Sequence, residues 1–157
     1  MINLIQINKA IKIMIQNALI GTSLSDVEIK PEDDITEKTL RPYLKIQIED
    51  NKTGKFNSCN KERTLTCRVY FFAKNRYKYK IDNLKMQDII ENTFLEDVQV
   101  TDAFSMPVLE DGVDSTIVDT VLVCSFDLYS IEEIEDTTDY EPMEELILNL
   151  EYEGEWI

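Results

Sequence analysis

The chain has 157 residues, 16 basic and 31 acidic side chains, a formal charge of −15, 43% hydrophobic residues and no histidine. That length and apolar fraction suit one compact domain, and the negative balance repels the outside of DNA or an anionic membrane over a Debye length of roughly 10 Å. Without histidine the Ser/His/Asp and Cys/His triads, His-ligated metals and the usual proton shuttle near neutral pH are excluded, so no enzyme activity and no cofactor are expected.

No apolar run approaches the roughly 20 residues of a bilayer span, so no membrane association is expected. Met1 is not followed by the cationic, apolar and small-residue blocks of a secretion signal, and the expected setting is the cytoplasm where the chain is made. Cys59, Cys67 and Cys124 are odd in number and lack a CxxC spacing, which argues against a disulfide framework or a zinc knuckle. Cys67 and Cys124 fit the role of small core residues.

Leu4, Ile7, Ile11, Ile15 and Ala18 recur at three- and four-residue spacing, which predicts an amphipathic helix over 2–20, with Gly21 as its stop. The segment 22–40 reads as loop apart from a short extended piece at 27–30. Leu44, Ile46 and Ile48 alternate with Lys45, Gln47 and Glu49, the period-two pattern of a strand with one buried and one wet face. A polar stretch, 50–62, leads to a second alternating run at 63–72, which predicts a hairpin whose strands extend as an arm or whose loop is long. Met86, Ile89, Ile90 and Phe94 share one helical face over 82–95, with Asp82 as expected N-cap. Strands are predicted at 98–104 and 115–131, joined across Pro107 and Gly112. The expected fold is α+β: an antiparallel sheet of four to five strands with two helices on one face, formed by residues 1–131 and followed by an acidic extension, 132–157. Within that extension Leu146, Leu148, Leu150 and Tyr152 alternate with Ile147, Asn149 and Glu151, compatible with a short helix or an added strand.

Charge is divided along the chain. All 16 bases lie between Lys9 and Lys85, leaving residues 1–85 at +6, whereas residues 86–157 carry 21 acids and no base. One reading is a solvated acidic surface that aids solubility. The other is self-complementarity, in which a basic edge of one copy meets an acidic edge of the next and so sets orientation in a head-to-tail ring. On the second reading the interface residues are Lys52, Lys55, Lys61, Arg63, Arg68, Lys74, Arg76, Lys78 and Lys80 on the basic side, with Glu144, Glu145 and Trp156 on the acidic side. The run from Lys74 to Lys80 interleaves four cations with Tyr77 and Tyr79, a pattern shared with nucleic-acid stacking patches, but the net charge favours an exposed connection or an acidic partner. Trp156 is a candidate anchor in an extension too rich in large apolar groups for an ordinary disordered acidic tail.

Catalytic alternatives are weak. Glu28-Ile29-Lys30 near Asp33 and Asp34 has the residue types of a magnesium nuclease, yet the tripeptide is common and no partnering Asp is evident on a neighbouring strand. Glu110 to Asp114 lacks the twelve-residue calcium-loop pattern and reads as a turn. Four glycines, none clustered, rule out a glycine-rich phosphate loop.

The helix at 2–20, the Arg41-Pro42-Tyr43-Leu44-Lys45-Ile46 strand opening, the Tyr70-Phe71-Phe72 strand end, the second helix and Met143-Glu144-Glu145-Leu146 resemble the tail-terminator (tail completion) proteins of tailed bacteriophages and phage-derived contractile particles. The resemblance implies a small α/β domain that assembles as a hexameric ring, caps the tail tube, stops its polymerisation and offers a surface to the head connector. It implies tube protein, sheath and neck proteins as partners, assembly in the host cytoplasm and a final place at the tail-neck junction. An acidic lumen would let genomic DNA pass without sticking. Two other readings fit the composition: another neck or head-completion ring, and an acidic DNA mimic that inhibits a DNA-binding enzyme, which the +6 half disfavours.

Overall fold

The computed structural model describes residues 2–31 and 40–134. Helix α1 (Leu4–Leu19) opens with a capping box: the Asn3 side chain accepts from the Gln6 N–H at 2.9 Å while the Gln6 side chain accepts from the Asn3 N–H at 3.0 Å. It ends at Gly21, whose φ of +79° is the left-handed conformation a residue without Cβ adopts cheaply. Then follow β1 (Glu28–Ile29), β2 (Tyr43–Lys55), β3 (Asn60–Phe72), α2 (Lys80–Thr93), β4 (Val98–Thr101), β5 (Phe104–Met106), β6 (Asp114–Val118) and β7 (Val121–Glu133).

The α+β class and the two helices are as expected. The main sheet has the order β1-β2-β3-β7-β6, antiparallel throughout except that β1 runs parallel to β2, and β4 and β5 form a separate ribbon. Leu44, Phe71 and Leu122 stand in one cross-strand row, as do Cys67 and Phe126, and Leu65 and Leu128. This face is covered by Ile7, Ile11 and Ile15 of α1, Met86 and Ile90 of α2, and Val98 and Met106 of the ribbon, all essentially without solvent exposure. Phe94, just past α2, stacks on Phe126 at 4.1 Å between centroids.

One local alternative is decided and two expectations are corrected. Of an extended arm or a long loop after the first strand, the arm is what forms: residues 50–55 are strand, and β2 and β3 pair out to Lys55↔Lys61, leaving a turn of only 56–59. The β2 side chains there are all exposed, so no alternation of burial marks them, and pairing is sustained by β3, itself paired with β7 up to Asn60↔Glu133. A bulge at Asp50, with φ of 51°, carries the arm out of the sheet. The run predicted at 115–131 is two strands, β6 and β7, separated by Asp119 (φ 49°) and Thr120 (φ 71°), the positive-φ pair of a tight hairpin turn that normally calls for Asn-Gly. The run at 98–104 likewise folds back as β4 and β5. Finally, α2 starts two residues earlier than expected. Tyr79 stands at its N-cap without a side-chain cap, and Asp82 lies inside the first turn, where its charge opposes the helix dipole favourably.

Candidate interaction surfaces

Strand alternation gives the sheet a second face, on which no helix or strand rests among the described residues. At one end Tyr43 and Phe72 stack at 4.4 Å, and Lys30, Arg41 and Lys45 lie over the rings of Tyr43, Phe72 and Tyr70 at 5.8, 5.5 and 4.6 Å. Burial raises the Tyr43 phenol pKa, with Arg41 pulling it back. Further along, Arg68 pairs with Glu49 and approaches Asp50 at 3.9 Å, while the Thr66 hydroxyl donates to Asp127 at 2.6 Å. The cations of this face are thus engaged by aromatic rings and carboxylates of their own chain.

The arm has a different chemistry on its core side. Continuing the β7 alternation beyond Leu128 puts Ser130 and Glu132 inward, opposite Arg63 and Lys61. Arg63, Ser130 and Glu132 are 9%, 4% and 7% exposed. Glu132 Oε2 accepts from the Ile2 N–H at 3.2 Å and meets Lys61 Nζ at 3.9 Å, and Arg63 Nη1 donates to the Ile2 carbonyl at 3.4 Å. Arg63 Nε, Ser130 Oγ and Glu132 Oε1 have no hydrogen-bond partner. The cluster fastens the chain just before α1 to the outer half of the arm, next to its 56–59 turn. Sequence reasoning missed Ser130 and Glu132, although the period-two continuation of β7 was available to find them.

The remaining sequence-predicted residues lie apart. Lys52 and Lys55 are exposed on the β2 half of the arm, and Lys74, Arg76 and Lys78 are exposed on the connection between β3 and α2, with Lys80 at the first position of α2. Tyr77 between them is 89% exposed. Glu144, Glu145 and Trp156 fall outside the described residues. Exposed acids cluster on the other side of the sheet: Asp102 at the ribbon tip, Glu110 and Asp111 in the segment beside β7, Asp114 on β6 and Asp119 in the β6–β7 turn. Sheet order places Lys30, Lys45, Lys52 and Lys55 on the β1-β2 side and these acids on the β6 and ribbon side, although Glu28, Glu49 and Asp50 share the former, and the Asn83 bond to the Thr120 carbonyl holds the start of α2, with Lys80, near the β6–β7 turn.

Among the described residues no group of three or more His, Cys, Asp or Glu side chains is arranged to hold a metal, and no helix is long and apolar enough to cross a membrane. Glu28 and Lys30 sit at the short edge strand β1. Cys67 and Cys124 are buried in the core, where loss of hydration pushes their thiols up to about 12 and about 11; the Ser115 hydroxyl beside Cys124 pulls the other way. Neither thiol is suited to nucleophilic work near neutral pH. Exposed charges of both signs on a projecting arm and on the sheet edges suit binding to other proteins.

Comparison with known families gives a match over residues 6–140, to a family described as phage tail terminator protein. No curated protein matches the chain.

Proposed function

As the chain belongs to the phage tail terminator family, a structural family of tail assembly whose members associate with other tail and neck proteins, we propose that it closes into a ring, by the family resemblance of six copies, that caps the tail tube, halts its polymerisation and joins it to the head connector. The observation that supports this reading is the charge division across the sheet. A cyclic head-to-tail ring needs two different, complementary surfaces on each copy, and the lysines at Lys30, Lys45, Lys52 and Lys55 on the β1-β2 side and the exposed acids of the β6 and ribbon side offer such a pair. The projecting three-stranded arm supplies a lever that reaches beyond the core toward a neighbour or the tube. Acids turned to the lumen would repel phosphate and leave DNA free to slide.

The test is assembly of tails from tube protein with and without the chain, with tube lengths read by negative-stain microscopy. Tubes of one length carrying a ring of this protein at a single end are the expected result. Unchanged lengths with bare ends overturn the capping role.

A further inference from the structure

The outer edge of β2 is covered at one end only. β1 pairs with Tyr43 and Leu44, and among the described residues no strand lies along β2 from Ile46 to Lys55. The Leu44 carbonyl faces outward, accepting from the Lys30 N–H at 2.9 Å. By the two-residue repeat of a strand, the N–H and C=O of Ile46 and Ile48 face the same way. Natural sheets blunt such edges with lysines, bulges or a covering element. β2 has its bulge at Asp50 and two lysines, Lys52 and Lys55, beyond Ile48, while its third, Lys45, lies on the opposite face over the Tyr70 ring at 4.6 Å. At Ile46 and Ile48 the edge instead opens onto a groove of about 370 Å³ lined also by Leu4, Ile5 and Asn8 of α1, with Ile5 79% exposed. A smaller cavity of about 100 Å³, sharing Asn8 and Ile46, brings Lys12 and Lys30 to its end.

An open backbone edge beside an apolar trough with cations at its margin receives an extended segment whose large apolar side chains alternate with polar ones and whose net charge is negative. The chain contains that segment. Leu146, Leu148, Leu150 and Tyr152 alternate with Ile147, Asn149 and Glu151, and residues 135–157 hold nine acids and no base. The other exposed edge strand, β6, offers five residues with two large apolar side chains, Ile117 and Val118, adjacent and not alternating.

We propose that residues 146–152 of a second copy add as a strand to the β2 edge at Ile46–Ile48, with their leucines in the groove against Leu4 and Ile5. The choice of a second copy over the chain's own segment rests on the ring reading above, which requires donor and acceptor on different surfaces. Here the donor follows Ile134 at the arm tip, where its N–H bonds the Cys59 carbonyl at 2.7 Å, and β3 and β2 separate the end of β7 from the acceptor edge.

Hydrogen exchange at the Ile46 and Ile48 amides of the full chain tests this, read over a hundredfold range of concentration with mass measured in parallel, and again on chain seated at tube ends. Exchange slowing at least tenfold with association or seating, and returning to the fast rate in Leu148→Asp/Leu150→Asp while β3 amides stay protected, is the expected result. Rings or capped tubes in which both amides still exchange fast overturn the strand addition and leave the capping role intact. Protection at monomer mass that ignores concentration assigns the edge to the chain's own segment and overturns the exchange between copies. Protection that survives the double substitution assigns another donor, β6 included, and overturns the choice of 146–152. A chain that neither associates nor caps tubes overturns the ring reading and this proposal together.

Discussion

Neutralising Glu132 with the isosteric Glu132→Gln tests whether the outer half of the arm is held to the start of α1 by charge. Lys61 Nζ at 3.9 Å from Glu132 Oε2 corresponds to about 4 kcal/mol of attraction at an effective dielectric near 20. Opposing it is the cost of keeping a carboxylate 7% exposed, with one oxygen unpaired. If burial cost dominates, glutamine stabilises the fold. The surroundings argue for the opposite sign: Arg63 and Lys61 both remain, so the substitution leaves two cations in the cluster and no anion, and it weakens the acceptor of the Ile2 N–H. The 3.9 Å separation and the partial exposure of Lys61 scale the loss down from the 3–5 kcal/mol typical of a broken buried pair, to about 2 kcal/mol. Urea unfolding measures it, together with hydrogen exchange at the Ile7 amide, which bonds the Asn3 carbonyl at 3.2 Å and reports on the start of α1. An unfolding free energy unchanged within 0.5 kcal/mol (a tolerance of about the usual surface-substitution scatter), or raised, refutes the claim that this carboxylate holds the arm to the start of α1.

Thr120→Gly should stabilise the fold by about 1 kcal/mol in thermal unfolding, because a β-branched residue at φ 71° is strained and glycine is not, while the Thr120 carbonyl that accepts from Asn83 Nδ2 at 3.2 Å is kept. Cys67 and Cys124 have raised thiol pKa values, so their contribution is complete below the unfolded value near 9 and is lost as pH rises toward 11 and 12. Between pH 8 and pH 10.5 the protein should therefore lose roughly 4 kcal/mol more than Cys67→Ala/Cys124→Ala, each compared with its own urea midpoint at pH 8. Equal losses would mean that the thiols ionise without unfolding. Lys78→Glu/Lys80→Glu reverses two exposed charges and should leave stability within about 0.5 kcal/mol. It should weaken tube capping roughly tenfold at low salt, an effect erased by salt, if the connection docks on an acidic partner. Unaltered capping would make that connection a solvated turn.

Wherever one face of an element was buried, the sequence announced it. The spacing of Ile7, Ile11 and Ile15, the alternation of Leu44, Ile46 and Ile48, the inward Cys67 and Cys124, and the apolar face of α2 all follow from period matched to burial, because removing apolar groups from water is the dominant gain of folding. Charge division along the chain was equally legible. The arm beyond Glu49 was legible only as one of two alternatives, since exposed side chains carry no period and its strands exist only because three backbones pair side by side. The turn at Asp119 and Thr120 was not legible, because there the neighbouring strands impose a positive φ on residues that do not favour it. Tertiary structure alone decided that β7 inserts between β3 and β6. That placement brings Glu132 to Lys61 and Arg63 across some seventy residues of chain and leaves the β2 edge open beside α1. Local propensity acts over a few residues, whereas strand order is fixed by which distant edges bury the most surface together.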